Sequence, residues 1–238
     1  MDKRVIFAVA GAGKTTHIIN SLSRDKRALI VTYTENNYNH LRQRVIKKFG
    51  ELPENITVIT YFTFLYSFCY KPFLHDKIKS KGINWKSPPP DTFRFARNRM
   101  AFYQDSSGRL YNNRIAKLIE QMDAVGHVTT RIEKYYDQFF VDEVQDFGGN
   151  DFNLLKRLCS SNVDINFVGD FFQHTFDTST DGRTNSNLYG DFDSYQKHFE
   201  DEGMKIDTTS LSHSHRCTRQ VCGFIKNHLG IDIESHKD

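Results

Sequence analysis

Ala8-Val9-Ala10-Gly11-Ala12-Gly13-Lys14-Thr15 follows a short apolar run, Val5–Val9, and leads into Lys14–Leu22, whose apolar residues recur at helical spacing. A turn between a strand and a helix needs small residues when its backbone N–H groups must wrap an anion closely. Gly11, Ala12 and Gly13 supply that cradle. Lys14 would place a cation between the β- and γ-phosphates of a nucleoside triphosphate, and the Thr15 hydroxyl would hold Mg²⁺. Thr16 adds a hydroxyl near the α-phosphate. The general pattern begins with Gly where this chain has Ala8, but the strand–turn–helix context is that of a phosphate loop.

A second apolar run, Phe139-Phe140-Val141, ends in Asp142-Glu143-Val144-Gln145-Asp146. A carboxylate that finishes a buried strand beside a phosphate loop completes the coordination of Mg²⁺, a role that falls to Asp142. Glu143 would then orient or deprotonate the attacking water.

Around these two sites, apolar runs alternate with amphipathic stretches, the pattern of a parallel sheet covered by helices. Strands are expected at Val5–Val9, Ala28–Thr32, Thr57–Thr60, Gln138–Val141, Ile165–Val168 and Ile206–Thr209. Helices are expected at Lys14–Leu22, Asn37–Phe49, Tyr61–Cys69, Phe152–Leu158 and Thr218–Leu229. The fold class is therefore α/β, a P-loop parallel sheet flanked by helices. Residues 1–73 and 135–238 form its core, and 74–134 break the alternation as a small helical insertion. That insertion holds twelve Lys or Arg against six Asp or Glu, with helices expected at Thr92–Tyr103 and Asn112–Met122. Its basic surface is either simply solvated or turned toward nucleic acid.

The remaining composition excludes more than it identifies. A chain of 238 residues suffices for one large α/β domain, and a net charge of +3 names no partner. No stretch has the apolar length of a membrane span or the make-up of a signal peptide, so no membrane partner is expected. Four cysteines in a chain of this length do not form a disulfide framework, so a reducing, cytoplasmic setting is expected. His213, His215, Cys217, Cys222 and His228 gather in a short span, but their spacing matches none of the strong zinc patterns.

Read together, the two motifs resemble the UvrD/Rep-like family of superfamily 1 helicases, in the first of that motor's two RecA-like domains. The Asp-Glu-Val-Gln-Asp run at 142–146 carries most of the likeness, and further blocks follow in the family's order. Ala28–Asn37 with Leu41–Val45 is similar to a block that contacts single-stranded DNA, and Ile59–Phe64 to a Thr-Phe-His-Ser-Phe block, with Phe62 in place of His. Phe167–Asp170 with Gln173 resembles a block whose Gln senses the γ-phosphate. Leu211–Arg216 resembles a Leu-x-x-Asn-Tyr-Arg block. The resemblance implies ATP and Mg²⁺ as cofactors, Gln173 and Arg216 at the γ-phosphate, and His215 against the adenine in place of a Tyr. It further implies single-stranded DNA as partner, touched by Thr32, Thr60 and Phe64. After Gln173 the family's aromatic–Arg–Gly run is replaced: Phe176 keeps one aromatic, then Asp177-Thr178-Ser179-Thr180 follows. No second set of motor blocks follows Arg216, so the missing half is expected from a longer chain or a protein partner. Two rivals remain open: a nucleotide-dependent switch or adaptor acting on an effector or nuclease, and a nucleic-acid-binding module built on the insertion.

Overall fold

The computed structural model describes residues 1–86, 89, 95–174, 178–179 and 184–236. Six strands form one sheet: β1 (Lys3–Phe7), β2 (Ala28–Thr32), β3 (Ile56–Thr60), β4 (Gln138–Asp142), β5 (Asp164–Gly169) and β6 (Lys205–Asp207). Their order is β3-β2-β4-β5-β1-β6, and every pairing is parallel. Lys3 faces Ile165 and Phe7 faces Gly169 across β1 and β5, while Asp142 faces Val168 across β4 and β5. This register brings the C-terminal ends of β1, β4 and β5 to one edge.

The strands are apolar on both faces because helices cover both, as in most parallel sheets. Alternate residues sort between two cores. Ile6, Ala28, Ile30, Phe140 and Val168 pack with Ile18, Ile19, Leu41 and Val45 of α1 (Lys14–Ser21) and α2 (Glu35–Phe49). Val5, Phe7, Leu29, Val31, Phe139, Val141, Ile165 and Phe167 face the opposite way. They are covered by α3 (Lys71–Ile78), α4 (Ile115–Gln121), α5 (Val125–Tyr135), α6 (Gly149–Leu158) and α7 (Phe192–Glu200). Each fully buried Leu, Ile or Phe in these layers contributes about 1.5–3 kcal/mol. A last helix, α8 (Arg219–Leu229), connects the two strands of a short parallel pair, His213–Ser214 and Glu234–Ser235.

Local chemistry sets the ends of α2. The Thr34 side chain caps its start by accepting from Asn37 N–H, Glu35 and Lys47–Lys48 oppose the helix dipole, and Gly50 at φ 83° ends it. Leu41 and Val45, one turn apart, form its buried face.

All six expected strands are present, with ends shifted by up to two residues. Two helical expectations need correction. Tyr61–Cys69 is a short helical turn, Tyr61–Thr63, running into a π-helix at Phe64–Tyr70. Phe64 and Cys69 are buried, as are Leu65 and Tyr70, and pairs five residues apart suit i→i+5 bonding. Of the helix expected at Thr92–Tyr103, Thr92, Phe93 and Arg94 lie outside the described residues. From Phe95 the backbone bends and turns, giving only the 3₁₀ turn Met100–Phe102. The guanidinium of buried Arg114 holds that turn, donating to Phe102 O at 2.8 Å and lying 3.7 Å over its ring. Helices α3, α5 and α7 are additions, the last begun by Asp191 and buried through Tyr195 and Phe199. The 74–134 segment shares the main core through Leu74, Leu110, Ile119, Val128 and Ile132. No helix among the described residues is long and apolar enough to cross a membrane.

Candidate functional site

The chain leaves β1 for β2, three places away across β5 and β4, and leaves β5 for β6 on the far side of β1. Connections that diverge from neighbouring strands open a crevice at their C-terminal ends, where α/β sheets bind ligands. The turn 8–15 and the acidic end of β4 both meet this crevice.

Gly11 and Gly13 have φ of 74° and 89°, a region costly for residues with a Cβ. Gly13 is the N-cap of α1, so no side chain caps the helix, and its first turn contains no acidic residue. The free N–H groups and the positive end of the dipole therefore face the crevice. Exposed Thr16 accepts from the Arg44 guanidinium at 2.8 Å.

The segment after Leu211 is bound to this turn. Ser214 Oγ donates to Ala10 O at 2.7 Å and accepts from the N–H groups of Arg216 and Cys217. His215 N–H donates to Gly11 O at 3.1 Å. A Cβ on Gly11 would lie 2.7 Å from Arg216 Cβ, so the missing side chain lets the two backbones meet. Arg216 and His215 are exposed beside the turn, and the His215 ring stacks on His236 with centroids 3.8 Å apart.

Across the crevice, Asp142 is 3% exposed, and its Oδ1 has no hydrogen-bond partner. Burial, then the neighbouring Glu143 charge, push its pKa up to about 7, against the pull of Lys14. Glu143 sits in the left-handed region at φ 57°, unusual for a residue with a long side chain. Its Oε2 lies 3.3 Å from Lys14 Nζ and accepts from Gln145 Nε2 at 2.9 Å. Gln145 also ties β4 to β5, because its Oε1 accepts from Asp170 N–H at 2.9 Å. A Cβ on Gly169 would lie 2.5 Å from that oxygen, so glycine at the end of β5 makes room for the bridge. Burial raises the Asp170 pKa, again opposed by Lys14.

Gly11, Ala12, Gly13, Lys14, Thr15, Asp142, Glu143 and the Arg216 segment are thus brought to one crevice. Gln173 ends the 3₁₀ turn Phe171–Gln173; its N–H is bonded to Asp170 O and its side chain is exposed. Two nucleic-acid contacts are corrected: Thr32 is 0% exposed and Phe64 1%. Phe64 stacks on Phe68 and Phe139 within the core, so neither side chain offers surface to a strand. Thr60 reaches the surface only slightly and caps the following turn through Thr63. The exposed aromatic residue at that end is Trp85, against Phe62. Phe176, Asp177 and Thr180 lie outside the described residues. In the histidine-rich span, His213 pairs with Glu234 at 2.8 Å and Cys222 is buried. Among the described residues no group of three or more His, Cys, Asp or Glu could hold a metal ion.

Sequence reasoning missed the bridging role of Gln145. Its signal was a glutamine inside an acidic run, with a glycine closing the next strand. Neither a family model nor a curated protein matches the chain.

Proposed function

We propose that the chain is an ATP-binding and ATP-hydrolysing domain of a UvrD-like DNA helicase or translocase, its phosphates held at the turn 11–15. The observation that carries this reading is the approach of Lys14 Nζ to Glu143 Oε2, 3.3 Å, beside a buried Asp142 oxygen that lacks a partner. A cationic turn and a desolvated carboxylate facing one crevice suit a polyanion with its cation.

The orphaned Asp142 oxygen and the Thr15 hydroxyl fit a hard oxygen-seeking cation. They would hold Mg²⁺, which neutralises charge on the phosphates. Lys14 would exchange its Glu143 partner for phosphate oxygens. Glu143, released but still steered by Gln145, would orient the attacking water and take its proton. Arg216, fixed by the backbone of the turn, would reach the γ-phosphate where negative charge builds. His215 would have to leave His236, or use its other face, to meet the adenine.

Single-stranded DNA would cross the ends of β2 and β3, near Thr60. Translocation would need a second RecA-like domain, from a longer chain or a partner, because it works by closing two domains around ATP and DNA. The test is ATP turnover with and without single-stranded DNA, in the wild type and in Lys14→Ala. Loss of turnover in the variant, with stimulation by DNA in the wild type, is the expected result. Unchanged ATP affinity in Lys14→Ala would remove the assignment of the phosphate site. Nucleotide binding without DNA-stimulated turnover would favour the switch or adaptor instead.

A further inference from the structure

At the edge of the sheet opposite the crevice, where β2, β3 and β4 begin, lies a cavity of about 430 Å³. Phe68 of the π-helix supplies one aromatic wall, and Tyr135 and Tyr136 at the end of α5 supply the others. The volume falls in the range of small-molecule sites, which combine apolar walls with a few polar groups.

Most polar groups on this lining are already committed. The Arg27 guanidinium meets both oxygens of Asp137, at 2.7 and 3.2 Å, and donates to Lys134 O. The Asn55 amide donates to the carbonyls of Ser23, Arg24 and Lys26. Arg131 is the exception. Its guanidinium carbon lies 4.8 Å from the Phe68 ring centre and 5.1 Å from that of Tyr135, so two rings shield the charge from water. Its Nε is buried without a hydrogen-bond partner, and the side chain forms no salt bridge among the described residues. A partly desolvated cation without a counter-charge is costly, and a bound anion offsets that cost. Thr57 adds a donor: its Oγ1 accepts from Tyr136 Oη at 3.2 Å, which leaves its own hydrogen for a guest.

Charge and shape narrow the class of anion. Glu54 stands on the same lining, exposed and without a salt bridge among the described residues, so it opposes a second negative charge. A dianionic phosphate meets one uncommitted cation and one repelling carboxylate, whereas a monocarboxylate needs only the cation. The paired N–H groups of a guanidinium also match the two oxygens of a carboxylate. Lys134 Nζ, 5.5 Å from the Tyr135 ring centre, adds positive charge nearby and draws anions toward this edge. Tyr135 is 45% exposed, and its ring offers a flat guest a surface to stack on or meet edge-on.

We propose that this cavity binds a small aromatic monocarboxylate, its carboxylate on Arg131 and Thr57 and its ring against Tyr135 and Tyr136. The site lies at the far end of the sheet from the phosphate turn, and neither it nor its test depends on the nucleotide reading.

Phenylacetate is the probe, with phenylacetamide as its neutral match and phenyl phosphate as the dianion. Each is titrated against the full chain at neutral pH and followed by ligand-observed NMR. Phenylacetate should bind about tenfold or more tighter than the amide, as a charge-assisted pair requires, and tighter than phenyl phosphate. Arg131→Lys keeps the charge but loses the paired donors, and should weaken phenylacetate by about tenfold. Arg131→Gln should erase the preference for acid over amide. Glu54→Gln should tighten phenylacetate and narrow its lead over phenyl phosphate. Tyr135→Ala, at an exposed position, should weaken acid and amide alike. Absence of binding at millimolar phenylacetate, or equal binding of acid and amide, would overturn the proposal. So would an acid preference that survives Arg131→Gln, or phenyl phosphate binding tighter than phenylacetate. The comparison of acid with amide uses the wild type alone, so it holds even where an Arg131 variant fails to fold.

Discussion

Lys14 and Glu143 neutralise each other across the crevice, Nζ to Oε2 at 3.3 Å, with both side chains largely shielded from water. The cation of the turn is thus partnered by Glu143, whose carboxylate Gln145 also holds. On the proposed reading, a triphosphate would displace this carboxylate to reach Lys14.

Lys14→Ala removes a charge-assisted contact to phosphate, and ATP should bind roughly 10- to 100-fold more weakly. Calorimetric titration with ATP measures this. An affinity within a factor of two of wild type would contradict the placement of the phosphates.

Glu143→Gln keeps the shape of the side chain and its contact with Gln145 while removing the proposed base. ATP affinity should hold or improve, because the competing carboxylate is gone, while turnover falls by about 10²- to 10⁴-fold. Single-turnover hydrolysis separates the two effects; equal losses in binding and rate would point to a structural role instead.

Gly11→Ala strains a backbone at φ 74° and drives a methyl group to 2.7 Å from Arg216 Cβ. A cost of roughly 1–3 kcal/mol is expected, together with loss of turnover as the 214–216 segment shifts. Gly223, inside α8 with open space around it, is the matched control. Alanine there should stabilise by about 0.5–1 kcal/mol. Thermal melts of the two variants should move in opposite directions.

Asp151, fully buried on α6, has both carboxyl oxygens without a hydrogen-bond partner. Burial pushes its pKa up to about 7. The Tyr61 hydroxyl and Thr178 lie toward it, too loosely placed for hydrogen bonds, and offset only part of that cost. The unfolded chain ionises near 3.8, so over the interval from there to about 7 the folded state keeps a proton that the unfolded state has lost. Stability from this group therefore falls as pH rises through that window and levels off above it, by at most roughly 4 kcal/mol. Asp142 adds a similar slope. Asp151→Asn should flatten the fall in melting temperature between pH 5 and pH 8; an unchanged slope would show that Asp151 is not held protonated.

The strands were legible because each is a short apolar run, and the crevice was legible because both its motifs are local in sequence. Other features depended on packing between distant segments. The π-helix at Phe64–Tyr70 reads as an ordinary amphipathic helix until the five-residue spacing of its buried pairs is seen. Thr32 and Phe64 carry the right chemistry for a strand contact, but a position at a strand end does not reveal whether a side chain faces core or solvent. Trp85 and Phe62 come from separate segments, and nothing in either announces the other. Gln145 gains its bridging role only when β5 lies beside β4 and Gly169 leaves the space.

Because Leu110, Ile119, Val128 and Ile132 pack into the same core as the strands, residues 74–134 cannot be trimmed to give a smaller folded unit. Their excision would bare an oily side of the molecule, and the product would clump rather than keep its shape. Engineering meant to shorten the protein has more freedom at solvent-facing residues of α8, where Cys222 alone is deeply buried.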